Sequence, residues 1–99
     1  MNTRIKVTNK NIREAEVADP TNCPIARAIK RTVKGIKNVH VYGKNANMTV
    51  KKGSRLTFYT AVLGSNAAAF VSRFDAGLSV APFKLNVKWN RTTAANCGF

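Results

Sequence analysis

Eight residues near the C-terminal end, Phe83-Lys84-Leu85-Asn86-Val87-Lys88-Trp89-Asn90, alternate apolar and polar without a fault. Successive side chains of an extended chain point to opposite faces, so this run predicts a strand with one buried and one solvated face. Sheets covered on one side only are the habit of antiparallel rather than parallel strands. Arg4-Ile5-Lys6-Val7-Thr8 repeats the pattern with Ile5 and Val7 inward, and Val39-His40-Val41-Tyr42 repeats it again after the first main helix. Gly43 to Asn47 reads as a turn. Met48 to Lys51 and Arg55 to Thr60 flank Lys52-Gly53-Ser54, the pattern of a hairpin with a short glycine-containing loop.

Two segments read as main helices. Cys23-Pro24 opens the first, since proline suits the initial helical position, and it runs to about Lys34 with Gly35 as its stop. Ser65 caps the second and Gly77 closes it, with Phe70, Val71 and Phe74 as its apolar stripe. Asn9 to Glu16 reads as a shorter helix capped by Thr8 or Asn9. Strands cluster instead of alternating strictly with helices. The fold class expected is therefore α+β: a small single domain with a mainly antiparallel sheet of four to five strands and two main helices on one face. That domain spans residues 1–91, and the small, polar residues 92–99 read as a loose tail.

The 99 residues carry 17 Lys plus Arg against 4 Asp plus Glu, a formal charge of +13. The imbalance comes from scarcity of acids, namely Glu14, Glu16, Asp19 and Asp75. Such a charge points to a polyanion, nucleic acid first and an acidic protein second. No apolar run approaches the ~20 residues of a membrane span, and the first residues lack the apolar core of a signal peptide, so no membrane partner is expected. Cys23 and Cys97 do not make a disulfide framework, and a reduced, cytoplasmic setting is the reading they favour. One His, two distant Cys and scattered acids offer no metal-ligand spacing, and the isolated glycines make no phosphate loop, so neither metal nor cofactor is expected. Glu14 and Glu16 do not share a helix face, which weakens any paired-carboxylate chemistry. Cys23 reads as a helix cap or half-buried residue rather than a nucleophile, because no histidine neighbours it in sequence.

Two basic surfaces follow from periodicity. Arg27, Lys30, Arg31 and Lys34 are spaced i, i+3, i+4, i+7 and form a purely basic helix face, opposite Ile25, Ala28, Ile29 and Val33. That stripe reads either as a solvated face or as a track for phosphates. The strand alternation turns Arg4, Lys6 and Thr8; His40 and Tyr42; Arg55, Thr57 and Tyr59; and Lys84, Asn86 and Lys88 outward. Shared on one open sheet face, these residues have the composition of a single-strand platform, with rings for bases and cations for phosphates. The competing reading is an ordinary solvated sheet on which Tyr42 and Tyr59 are cross-strand neighbours.

Asn22-Cys23-Pro24-Ile25-Ala26-Arg27-Ala28-Ile29-Lys30-Arg31 resembles the CPIA-x-A-hydrophobic helix start of many short bacteriophage and bacterial proteins. Phe74-Asp75-Ala76-Gly77-Leu78-Ser79-Val80-Ala81-Pro82-Phe83 resembles the FDxG-x-x-V-x-PF segment that closes the same proteins. With the opening strand and Ile12, the likeness runs in order from residue 4 to about residue 87. It implies a small phage-type accessory protein acting in the host cytoplasm, and it assigns no activity, because the group has no settled one. The basic strand and tail after Phe83 are particular to this chain. Small basic ribonuclease toxins are similar in length and charge, and His40, Tyr42, Arg55 and Tyr59 could supply such chemistry, but their clustered strand motif is missing here. The function expected is thus a non-enzymatic nucleic-acid-binding protein favouring single-stranded DNA or RNA. The alternatives are an inhibitor that binds an acidic host protein and, third, a small basic ribonuclease. A dimer is compatible with each.

Overall fold

Strand β1 (Asn2–Val7) puts Ile5 and Val7 in the core and Arg4 and Lys6 in solvent, as its alternation requires. The structure is a computed structural model describing residues 2–92. Thr8 ends β1 and caps α1 (Asn9–Glu14). The Thr8 hydroxyl accepts the Asn11 N–H at 3.2 Å and the Asn11 side chain accepts the Thr8 N–H at 3.0 Å, a reciprocal capping box. Helix α2 (Pro24–Thr32) starts at Cys23, whose Sγ accepts the Ala26 N–H at 3.4 Å. It buries Ile25, Ala26, Ala28 and Ile29 and ends at Thr32, slightly before the Lys34 expected.

Strands β2 (Ile36–Tyr42), β3 (Asn45–Lys52) and β4 (Arg55–Val62) form an antiparallel meander. Its turns are Gly43-Lys44 and Gly53-Ser54, each opening on a glycine of positive φ (58° and 62°), as type II′ hairpins require. The first turn is tighter than the Gly43–Asn47 loop read from the sequence, so Asn45, Ala46 and Asn47 belong to β3. Helix α3 (Ser65–Asp75) also departs from expectation at its start. Gly64, not Ser65, is its N-cap, and no side chain bonds the free N–H groups of the first turn.

The run from Phe83 to Asn90 keeps its alternation but is divided into β5 (Phe83–Lys88) and β6 (Asn90–Thr92). β5 pairs with β1, and β6 pairs with β4. Between them Trp89, 2% exposed, is anchored in the core, its Nε1–H donating to the Thr3 hydroxyl at 2.8 Å. The β1 ladder ends at Asn2 opposite Lys88, and beyond Trp89 the chain pairs with β4 through Asn90 to Thr92. The expected single sheet is therefore two antiparallel sheets, ordered β1-β5 and β2-β3-β4-β6.

The α+β class stands, with α2 bridging the two sheets from the inner side. It packs on both β1 and β2, and α1 packs on α2. Phe70 of α3 meets Phe83 with ring centroids 4.7 Å apart. Ile5, Val7, Ile25, Ile29, Val39, Met48, Val87 and Trp89 join in one buried cluster. No helix among the described residues is long and apolar enough to cross a membrane. The tail expected at 92–99 lies outside the described residues except for Thr92, which ends β6, and Cys97 lies outside them as well.

Candidate nucleic-acid interface

The inner face of the four-stranded sheet is spent on the core: Val39, Val41, Ala46, Met48, Val50, Tyr59 and Ala61 are all buried. The alternate residues form an outer face that no described helix covers. Its rows follow from the strand register. Tyr42, Asn45 and Val62 lie side by side; then His40, Asn47, Thr60 and Asn90; then Asn38, Thr49, Phe58 and Thr92. The His40 and Tyr42 rings are stacked, 5° from parallel with centroids 5.8 Å apart, and Tyr42 is 54% exposed. Two shallow depressions flank this pair. One of about 480 Å³ is lined by Tyr42, Asn45, Asn47, Thr60, Val62 and Asn90. The other, about 220 Å³, is lined by Asn38, His40, Tyr42, Asn47, Thr49 and Phe58. Tyr42 and Asn47 border both. A planar ring set among amides and hydroxyls offers a flat apolar contact together with donors and acceptors at its edge.

Tyr59 overturns part of the sequence reading. It is 9% exposed and faces the core, because the two-residue Gly53-Ser54 turn pairs Lys52 with Arg55 and therefore Met48 with Tyr59. Directly opposed residues share a face, so a buried Met48 carries Tyr59 inward with it. Thr57 shares that parity, paired with buried Val50, and Arg55 sits at the exposed hairpin end beyond the core. The same register turns Phe58 outward beside Thr49, a residue the sequence reading missed. Counting pairs across Gly53-Ser54 would have found it. Asn45 and Asn47 were missed because Gly43 to Asn47 reads as a turn, and Asn90 because the alternation that turns it outward does not reveal that it pairs with Thr60.

Arg4, Lys6, Lys84 and Lys88 do point outward, on the β1–β5 ladder rather than on the four-stranded sheet. Three of the four cations on the basic face of α2 make intramolecular bonds, with Lys30 and Arg31 still exposed to solvent. Arg27 donates to the Asn22 side chain at 2.7 Å and pairs with Glu14 at 3.3 Å. The Lys30 ammonium donates to the Thr21 carbonyl and the Arg31 guanidinium to the Lys6 carbonyl, both at 2.6 Å. These bonds clip α2 to the α1–α2 loop and to β1, and Lys34 stays exposed.

All four acids gather at one place. Glu14, Glu16 and Asp19 lie in or beside that loop, and Asp75 is docked on it by accepting the Ala18 N–H at 3.0 Å, rather than pairing with Arg73 or a sheet lysine. Asp19 accepts from the Thr21 hydroxyl and N–H at 2.7 and 2.9 Å, which hold its carboxyl below the ordinary range. No strand of the outer face or of the ladder carries a carboxylate, although Asp19 and Asp75 line a depression of about 260 Å³ that Tyr42 also borders.

Cys23 is buried, and burial pushes its thiol up, the reverse of what a nucleophile needs. His40 lies on the outer side, away from it. The ribonuclease set is not assembled either, since Tyr59 is inside while His40 and Tyr42 are outside. No group of three or more His, Cys, Asp or Glu able to hold a metal occurs among the described residues. Compared with family models, curated proteins and solved structures, the chain matches none.

Proposed function

We propose that the protein binds single-stranded nucleic acid across the outer face of the four-stranded sheet, without catalysing a reaction on it. Bases stack on Tyr42, His40 and Phe58, and the amides of Asn45, Asn47 and Asn90 meet their edges. The observation that carries this reading is the ring pair of half-buried His40 and exposed Tyr42 between two amide-lined depressions on a +13 chain, with Asp19 and Asp75 reaching only the opposite side of Tyr42. Base–aromatic stacking contributes about 1–3 kcal/mol per base and is tolerant of sequence, which suits an open, shallow site. A phage accessory role, suggested by the resemblance of the Cys23 and Phe74 segments, is compatible with such binding.

Fluorescence anisotropy with labelled single-stranded DNA, RNA and duplex DNA, at about 50 and about 200 mM salt, tests it. Single strands should bind more tightly than duplex and retain measurable affinity at the higher salt. Weak binding to all three that vanishes with salt would overturn the proposal.

A second reading rests on Val62 and Leu56, which are 70% and 52% exposed on the same face. An apolar rim beside cations fits an acidic protein partner. Leu56 lies on that face outside both depressions, and Leu56→Ser should weaken a protein partner while leaving single-strand affinity unchanged.

A further inference from the structure

The β1–β5 ladder has an outward face of a different chemistry from the sheet it adjoins. Its register sets Asn2 opposite Lys88, Arg4 opposite Asn86 and Lys6 opposite Lys84. Four cations, no ring and no acid make up that surface. Like charges directly opposed on a ladder repel, so Lys6 and Lys84 carry a small cost that a bound anion relieves. The Arg31 guanidinium reaches the Lys6 carbonyl and adds to the positive charge at this edge. A groove of about 450 Å³ between Asn2, Arg4, Asn86 and Lys88 opens onto the same face.

Building on the single-strand reading, we propose that this ladder is a backbone track. It holds phosphates of the same strand whose bases occupy the neighbouring sheet, and it makes no base contact. Two observations support one continuous ligand. The alternation of exposed residues, Lys84, Asn86, Lys88 and Asn90, continues across the joint at Trp89, and Asn90 already lines the depression beside Tyr42. The ladder itself, moreover, carries no acidic side chain: Glu14 ends α1, Glu16 and Asp19 lie in the α1–α2 loop, and Asp75 docks on that loop.

The two surfaces then divide the binding. The sheet supplies stacking with little charge, and the ladder supplies counterion release. Lys84 to Asn90 spans roughly 20 Å at about 3.3 Å per residue. That is about six nucleotides at the stacked spacing of about 3.4 Å, and fewer in an extended strand. An oligonucleotide much shorter than this fills the sheet and leaves the ladder empty.

Salt dependence against length separates the parts. The probes are oligothymidylates of about four and about fifteen nucleotides, titrated with wild type and with the Arg4→Gln, Lys6→Gln, Lys84→Gln, Lys88→Gln variant, its fold checked by circular dichroism. With a slope of about −0.7 per phosphate contact, four contacts cost the longer probe about fifty-fold in affinity between about 50 and about 200 mM salt. The shorter probe should lose only a few-fold. The ladder variant should bind the longer probe with the shallow dependence of the short one. An unchanged slope in the variant, or equal slopes for both probes, would overturn the track while leaving the sheet platform standing. Failure of wild type to bind either probe would overturn both.

Discussion

Two tyrosines in one protein should respond in opposite ways to the same truncation. Tyr42 is 54% exposed on the outer face, and Tyr59 is 9% exposed among Met48, Ala61 and the rest of the core. Tyr42→Ala removes a stacking surface and little buried area, so its stability cost should stay below about 1 kcal/mol. Losing one stacked base at about 1–3 kcal/mol corresponds to roughly 5- to 150-fold weaker single-strand binding. Tyr59→Ala opens a cavity under the sheet, for which large-aromatic truncations cost about 3–5 kcal/mol. Against a total stability of about 5–15 kcal/mol, and an m-value of about 1–3 kcal/mol/M in urea, the midpoint should fall by on the order of 2 M. Urea titration and anisotropy binding, run on both variants, give a two-by-two outcome. If Tyr59→Ala binds poorly while unfolding at the wild-type midpoint, or Tyr42→Ala binds like wild type, the assignment of faces is wrong.

Two further expectations concern the scaffold. Gly35 has φ +77°, and an added Cβ would come within 2.6 Å of the Lys51 carbonyl oxygen, while Gly53 has φ +62° with nothing within 4 Å. Both alanine variants incur the left-handed cost of about 1–2 kcal/mol, but only Gly35→Ala also disturbs the Lys51 N–H bond to the Gly35 carbonyl. Its urea midpoint should therefore fall clearly further than that of Gly53→Ala, and equal midpoints would refute the close approach. Asp19 is held below its ordinary value by Thr21, so its carboxylate stabilises the fold fully above about pH 4, and that stability is lost as pH falls through the folded-state value. The stability gap between wild type and Asp19→Asn should accordingly be constant near neutrality and shrink in acid, as read by denaturation at a series of pH values.

Much of this was legible in the chain. The alternations at Arg4–Thr8, Val39–Tyr42 and Phe83–Asn90 each oriented their side chains correctly, because a period of two is stated by the residues themselves. Cys23-Pro24 marked the start of α2 for an equally local reason. What failed was decided between segments. The face of Tyr59 depends on pairing across Gly53-Ser54, where one residue of slip inverts every side chain. The division of the last strand depends on its change of partner from β1 to β4, and the partners of Arg27, Lys30 and Arg31 lie in α1, the α1–α2 loop and β1. An amphipathic helix wheel shows a basic stripe without showing that most of it is already engaged. The candidate site is accordingly half as expected: His40 and Tyr42 face outward together, while Phe58 and the asparagines take the place assigned to Tyr59.

The most direct test of the sheet platform is to record backbone amide resonances of the isotope-labelled protein while titrating an oligothymidylate of about fifteen nucleotides. Binding across the outer face should shift Asn38 to Asn47, Phe58 to Val62 and Asn90, together with the β1–β5 ladder that the longer strand reaches, leaving α1 and α2 nearly unmoved. Shifts confined to Lys30, Arg31 and Lys34, or none at saturating oligonucleotide, would contradict the assignment of the open sheet as the nucleic-acid surface.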